Sequence, residues 1–400
     1  MKNSPVPTQP LRAIFKTASC LALVVGGVNA IAAESYKFRQ SPIGAFGGEI
    51  AAAADAPGLF GTAILTHINI YQLTDNDGND VGVPARNVPL PTGTPTGGVV
   101  PDGRYTLNVP AGTIEFSQKQ SQLNLVGGYL TESTYADGRI AFVVNVPLIK
   151  QSRSYVATQP LGTVSPSAAG TPQVSALPSA QLRGAIAAVA AAVNAQVQAG
   201  VAAKASQSIL QNTEASGFGD TEISAVWIRH RDRLKVAAGV SLFAPTGSYD
   251  KARGPNPGFG NFYTLRPGVA VTYNLNPNHT DAQWDSGVTI AGRLSYGINS
   301  TNKDTDYRSG NFVYGELGAV KVVGNWAFGA NVLAVQQVTD DSGAGAPTDG
   351  RRYRTYGVGP FVSYKLPGKD AGFNLQYSDN FGGRNAIATR ALQLRFVKAW

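Results

Sequence analysis

The stretch Val288-Thr-Ile-Ala-Gly-Arg-Leu-Ser-Tyr-Gly-Ile298 alternates large apolar residues with small or polar ones. Side chains on a β-strand point to opposite faces in turn, so a period of two predicts a strand with one apolar and one polar face. The segments Leu265–Leu275 and Phe373–Ser378 alternate in the same way. About twelve such strands are predicted, at residues 59–73, 114–131, 139–150, 219–230, 233–246, 261–275, 284–299, 310–323, 326–339, 352–366, 371–381 and 385–400.

The connections between these predicted strands fall into two kinds. Short turns are predicted at His230–Arg233, Gly324–Asn325 and Pro367–Asp370. Long polar loops, rich in Gly, Asp or Arg, are predicted at Thr246–Gly260, Asn299–Gly310 and Asp340–Arg352. Barrels of the bacterial outer membrane have short periplasmic turns and longer external loops. The sequence therefore predicts an all-β fold, a transmembrane antiparallel β-barrel of about 12 strands with both termini on the periplasmic side, although short alternating strands alone also fit a soluble β-sandwich.

The N-terminus predicts a secretory signal peptide over residues 1–32. Basic residues precede an apolar run that ends in Ala30-Ile31-Ala32, a pattern that signal peptidases cleave. Cleavage removes Cys20, the one cysteine, and lowers the formal net charge from +8 to +5 because Lys2, Arg12 and Lys16 leave with it. Disulfides and thiolate metal sites are therefore not expected. Residues 33–56 are predicted to form a periplasmic segment, and residues 57–400 the outer-membrane barrel.

The final predicted strand carries a second targeting pattern. Leu392, Leu394, Phe396 and Trp400 share one face of this strand. The pattern resembles the C-terminal signal that the outer-membrane insertion machinery reads, with Phe396 and Trp400 as its aromatic residues. Outer-membrane lipid and that machinery are therefore the expected partners.

The segment 151–216 is predicted to be an insert that carries an Ala-rich helix near residues 179–210 in an outer loop. Apolar residues recur there at steps of three and four, which places one stripe along the helix: Leu182, Ile186, Val189, Val193, Val197 and Val201. Because an exposed stripe invites aggregation, we expect the helix to act as a plug over or inside the outer mouth. Packing on the barrel rim, pairing with another copy and a surface interaction role are the alternatives. The segment Asp75–Pro110 is predicted to be a long loop.

The polar faces of the strands supply the candidate functional residues. If the apolar faces meet lipid, the lumen is lined by Lys235, Arg266, Arg293, Ser295, Glu316, Lys365 and Arg395. Basic residues outnumber acidic ones in this set, which favours a pore that prefers anions or guides carboxylates. The same charges can instead pair across a closed lumen and hold the barrel rigid, and both alternatives stay open.

An enzyme is not expected, and neither is a cofactor, a metal site or a nucleic-acid partner. His67, His230 and His279 are the only histidines of the sequence, and none has a partner at metal-ligand spacing. The positive charge is not clustered as nucleic-acid binding requires. Asp75–Asp80 resembles a calcium loop, but Arg86 stands where an EF-hand needs glutamate, so a solvated loop is favoured.

Several stretches resemble the outer-membrane family of meta-pathway phenol degradation proteins. The main ones are Gly217-Phe-Gly-Asp-Thr-Glu-Ile-Ser-Ala-Val-Trp227 and Gly239-Val-Ser-Leu-Phe-Ala-Pro-Thr-Gly-Ser-Tyr-Asp250, and the stretches Leu73–Val81 and Gln336–Gly343 also fit. The resemblance covers most of the chain outside 151–216. It implies a channel for passive uptake of small hydrophobic or aromatic compounds. The alternative is a structural or surface-interaction barrel with a closed lumen and no transport.

Overall fold

The computed structural model describes residues 37–39, 56–90, 105–166, 180–208, 214–252, 254–276 and 287–400. The predicted signal peptide lies outside these residues. The strands, numbered along the chain, are β1 (Gly58–Leu73), β2 (Gly82–Val83), β3 (Arg86–Pro89), β4 (Tyr105–Val109), β5 (Gly112–Leu130), β6 (Arg139–Thr158), β7 (Thr163–Pro166), β8 (Glu214–Phe218), β9 (Thr221–Arg231), β10 (Leu234–Ala244), β11 (Thr264–Asn274), β12 (Val288–Asn299), β13 (Tyr307–Arg308), β14 (Phe312–Val323), β15 (Trp326–Gln337), β16 (Ser342–Gly343), β17 (Arg354–Lys365), β18 (Ala371–Arg384) and β19 (Ile387–Ala399). The helix α1 (Ala180–Ser208) lies between β7 and β8.

Twelve of these strands form one closed antiparallel barrel. Their neighbour order is β5-β1-β19-β18-β17-β15-β14-β12-β11-β10-β9-β6, and pairing of β5 with β6 closes the ring. The first and last strands meet along their length, from Phe60 opposite Ala399 to Leu73 opposite Ile387. Closure leaves the ring without an exposed strand edge. The predicted barrel of about 12 strands is confirmed.

The two faces of the barrel wall differ in chemistry. Large apolar side chains are exposed on the outside, as Val269 and Val271 of β11 and Leu294 of β12 illustrate. Their neighbours Arg266 and Arg293 are buried and face the interior. The strand alternation read from the sequence produces this separation, because each strand contributes every second residue to each face.

The two ends of the barrel also differ. One end carries most of the short connections, such as Arg231 to Leu234 and Val323 to Trp326, together with the start of β1 and the end of β19. This is called the short-turn end below. The connections between β10 and β11, β12 and β14, and β15 and β17 lie at the opposite, long-loop end. The described residues contain no helix long and apolar enough to cross a bilayer.

The sixth strand runs further than the sequence predicts. β6 continues to Thr158 rather than ending at residue 150, and its residues Leu148–Ser152 pair with β8. The predicted boundaries 151–216 of the insert are therefore wrong at both ends. The extension Gln151–Thr158 has no continuous apolar face, so periodicity does not mark it as a strand. Its first residues, Gln151 and Ser152, pair with Ala215 and Glu214 of β8.

A second compact unit is built from residues 82–115 and 156–208. In it β3, β4 and β7 form a three-stranded antiparallel sheet. The stripe of α1 packs on this sheet, and the shared core consists of Val88, Leu90, Tyr105, Leu107, Val109, Ile186, Val189, Ala190, Val193 and Val197. Val201 is also buried, whereas the side chain of Leu182 lies outside the described residues. Asn194 of the helix accepts a hydrogen bond from the backbone N–H of Gly162, 2.8 Å away.

One prediction for this part of the chain needs correction, and another stays a prediction. The segment Asp75–Pro110 is not a plain loop, since it supplies β3 and β4. The valine stripe is buried as expected, but its core partners belong to the small sheet of the same unit. The proposed role of the helix as a plug of the barrel stays a prediction. The β4 strand is short and its partner β7 comes more than fifty residues later, so local pattern could not reveal the sheet.

Candidate functional site

A belt of amide side chains lines the barrel interior. Gln120, Gln122 and Asn124 stand on the same face of β5 and donate in series along the strand, over 2.8 and 2.7 Å. Asn124 continues the series to Asn145 of β6 at 2.9 Å. Buried amides need partners because an unmade hydrogen bond in a water-poor site is costly. The belt makes this part of the wall polar and rigid.

A charged network lies on the wall formed by β12, β14 and β15. Arg293 and Glu316 are direct cross-strand partners, and their side chains meet at 2.6 Å with almost no solvent exposure. The Tyr314 hydroxyl accepts from Arg293 and donates to Glu316, both at 2.8 Å. Asn331 donates to the second oxygen of Glu316 over 2.6 Å. A buried ion pair with its remaining lone pairs satisfied is the arrangement that can tolerate desolvation.

A second ion pair stands on the neighbouring wall. Arg266 of β11 meets Glu222 of β9 at 2.7 Å, and both side chains are nearly solvent-excluded. The Arg266 guanidinium also lies over the Phe243 ring, 4.7 Å from its centroid. Three of the residues proposed from sequence to line the lumen thus form buried ion pairs: Arg266, Arg293 and Glu316.

The remaining residues proposed from sequence take different positions. Lys235 and Arg395 are buried on the interior face, Ser295 is half-buried opposite Tyr314, and Lys365 is exposed at the short-turn end of β17. The structure does not bring these four together into one site.

Phe396 and Trp400, the residues of the proposed insertion signal, lie outside the interior. The Phe396 ring packs against Phe373 with centroids 5.0 Å apart. Trp400 is 69% exposed, and its backbone N–H donates to the carbonyl of Leu59.

Residues 37–39 lie inside the barrel, which corrects the prediction that 33–56 is wholly periplasmic. Arg39 is almost fully buried and forms an ion pair of 2.8 Å with Asp220. Its guanidinium donates to the carbonyls of Phe262 and Gly260, over 2.7 and 3.2 Å, and stacks 3.9 Å above the Phe262 ring. Arg266 in turn donates to the Arg39 carbonyl at 3.3 Å. Residues 37–39 are held inside the barrel because the buried Arg39 cation is neutralised by a carboxylate and donates to backbone carbonyls.

The Phe38 ring occupies an aromatic and aliphatic cluster at the long-loop end. Its core neighbours are Phe312, Tyr314, Leu333, Val335, Tyr353 and Ala386. The ring lies 4.9 Å from Phe312 and 5.1 Å from Tyr353, measured between centroids, with interplanar angles of 50° and 65°. Tilted and edge-to-face contacts of this kind are favourable for aromatic pairs. Burial raises the pKa of Tyr353, so its phenol stays neutral and the cluster carries no charge of its own.

The sequence analysis did not single out Phe38, Arg39, Asp220 or Phe312. One signal was available, since Tyr36-Lys-Phe-Arg39 is the densest run of aromatic and basic residues between residue 33 and β1. Asp220 and Phe312 carried no comparable signal, because their roles depend on a partner far away in the sequence. The interior thus combines a polar belt, three buried ion pairs and an aromatic cluster that holds the chain's own Phe38.

Comparison with known proteins identifies related families and folds. A family model described as "Putative MetA-pathway of phenol degradation" matches residues 155–396. The crystal structure of an outer membrane channel from Pseudomonas putida F1 is 14% identical and has a TM-score of 0.52, over 87% of this chain and 97% of that chain. The CymD monoaromatic hydrocarbon channel is 12% identical with a TM-score of 0.38, over 90% and 93%. No curated protein matches the chain. At 14% identity, the first of these structures supports the barrel fold alone.

Proposed function

The chain belongs to the phenol-degradation family whose model matches it, and from that premise we propose that it is an outer-membrane channel for passive uptake of small hydrophobic or aromatic compounds. Membership confirms the resemblance noted in the sequence. The apolar outer face of the closed barrel supports a location in the outer membrane. We place the short-turn end in the periplasm and the long-loop end outside the cell.

One observation carries the proposal about the substrate. The barrel interior, which elsewhere is lined by amides and ion pairs, contains an aromatic cluster large enough to enclose a phenyl ring. A barrel with only a mechanical role has no need of an apolar recess near its outer end. Ligand sites typically combine apolar and aromatic walls with a few polar groups at fixed positions, and this recess adjoins such groups at Tyr314 and Glu316.

The pairing of the interior charges indicates that they stabilise the barrel wall rather than select ions. Arg266 and Arg293 each face a carboxylate at 2.7 Å or less. A paired cation contributes little field to a passing anion. This pairing favours the alternative that the charges brace the interior over the alternative of an anion-preferring pore.

A second candidate function is a structural or surface-interaction barrel with a closed lumen. The observation that favours it is the presence of Phe38 and Arg39 inside the barrel, where they occupy interior space. The two candidates differ in whether the segment can leave or shift while the barrel stays folded.

Uptake by intact cells tests the proposal. The full chain is expressed in Gram-negative cells that lack general porins, and the initial uptake of radiolabelled toluene and phenol is measured at low concentration. We expect faster uptake than in cells that carry an empty vector, with no comparable gain for a sugar of similar size. A folded barrel at normal abundance that gives no gain for either aromatic compound would establish the closed-lumen alternative.

A further inference from the structure

The ring of Phe38 and the cluster around it differ in how they are held. Four of the surrounding side chains stand on β14 and β15, where an antiparallel ladder fixes the backbone. The carbonyls of the other two residues, Tyr353 and Ala386, accept backbone N–H groups of Gln337 and Thr74. Lys37, Phe38 and Arg39 belong to no strand. They are held by side-chain bonds instead, such as Arg39 to Asp220 and the Lys37 N–H to the Ser309 hydroxyl at 3.2 Å. The recess is therefore part of the wall, whereas its occupant is a separable segment.

The geometry points to a binding site in this recess: we propose that the surfaces of Phe312, Tyr314, Leu333, Val335, Tyr353 and Ala386, called the Phe38 pocket, bind the ring of a monocyclic aromatic solute, and that Phe38 is a built-in competitor for it. The inference rests on the proposed function and names the place where the solute binds. A molecule arriving from outside would meet this pocket first, because its residues lie at the long-loop end.

The contacts of Phe38 define the class of ligand. The pocket encloses one ring with tilted and edge-on aromatic neighbours, an arrangement that favours an aromatic ring over a saturated one. Tyr314 contributes its ring to the pocket and its hydroxyl to the Arg293–Glu316 network, so the pocket has one polar edge. A benzene ring with no substituent or with one small group such as a hydroxyl or methyl fits this description.

Occupation by Phe38 sets the expected binding behaviour. If Phe38 must leave before a ligand can bind, only the molecules with an empty pocket are competent. The apparent association constant is then the intrinsic one multiplied by the fraction of empty pockets. Truncating Phe38 to alanine removes the competitor and leaves an apolar space, and apolar cavities made in this way are known to take up benzene. The wild type should therefore bind weakly and the truncated protein more tightly.

Calorimetric titration of phenol into the purified, folded full chain in detergent tests the proposal. F38A should bind phenol about tenfold or more tightly than the wild type. F38L refills the space without a ring and should stay near the wild type. F142A removes an exposed phenylalanine of the outer face and should change nothing. Cyclohexanol, the saturated counterpart, should gain less from F38A than phenol does.

A second variant covers the case in which F38A does not fold. R39A removes the anchor and leaves every pocket residue in place, so it should also bind phenol more tightly. Folding is checked by the heat-dependent mobility of the barrel on gels. Equal phenol affinity in F38A, R39A and the wild type would overturn the proposal, and equal gains for phenol and cyclohexanol would overturn its aromatic selectivity.

The cellular uptake measurement separates this inference from the proposed function. Tighter phenol binding by F38A, with no aromatic uptake by the wild type or the variant, would refute the channel and keep the pocket. Uptake by the wild type, with no gain in binding for F38A or R39A, would refute the pocket and keep the channel.

Discussion

The Arg39 guanidinium and the Asp220 carboxylate meet at 2.8 Å inside the barrel, although 181 residues separate them in the sequence. Asp220 also accepts the backbone N–H groups of Gly247 and Phe259. One carboxylate thus connects the N-terminal segment with the long loop between β10 and β11. The segment that carries Phe38 is fixed at this point.

Removing the cation should free the segment. R39A leaves Asp220 with its two backbone donors, so we expect the loop to remain and the segment to detach. Single-channel conductance in planar bilayers should rise several-fold, and the N-terminal segment should become sensitive to protease. R229A, which breaks the exposed 3.1 Å pair with Asp137, serves as the control and should behave like the wild type. Unchanged conductance with a released segment would show that another constriction closes the barrel.

A side chain at Gly297, the residue opposite Phe312, should destabilise the barrel. Gly297 lies directly opposite Phe312 in the β12–β14 ladder, and a Cβ there would collide with the Phe312 ring. G297A should therefore cost about 1–3 kcal/mol in unfolding free energy, as overpacked sites do, and should weaken phenol binding in the F38A background. Urea unfolding in lipid vesicles measures the first effect. G315A is the matched control, because its new Cβ would meet only Leu294 at an ordinary 3.8 Å. Equal stability of the two variants would contradict the close approach.

The ion pair of Arg293 and Glu316 should be costly to halve. E316Q leaves a nearly solvent-excluded guanidinium without its countercharge, so we expect a loss of about 3–5 kcal/mol in unfolding free energy. Replacing both residues by apolar ones of similar volume should recover most of the loss. The exposed pair of Lys150 and Glu214, at 3.5 Å, offers a control, and K150A should change stability little. A loss of the same size in both single variants would argue against burial as the cause.

The helix should depend on its sheet. V193D places a carboxylate in the core shared by α1 and the three-stranded sheet, so the small unit should lose its protection from protease. A195D adds the same charge on the exposed face and should leave protection intact. Barrel folding, read from heat-dependent gel mobility, should survive in both. A V193D protein as protease-resistant as A195D would mean that the stripe is not what stabilises the helix.

The sequence was sufficient to predict the barrel, because a period of two is a local property of each strand. The alternation around Val288–Ile298 depends only on which side chains follow one another, and it marks the lipid face and the interior face together. Turn residues then separated the strands, and their predicted ends lie close to the observed ones except for β6. The helix stripe was visible for the same reason, since it repeats at helical spacing.

The tertiary structure alone decided what occupies and braces the interior. The sequence placed Arg266, Arg293 and Glu316 on the same face, but only the order and register of the strands decided that the arginines stand beside carboxylates. Phe38 meets Phe312 only once the barrel has closed, and no local pattern joins residues so far apart. Periodicity records how a strand or helix faces its surroundings. The partner of each buried side chain is set by closure and register, which are properties of the whole chain.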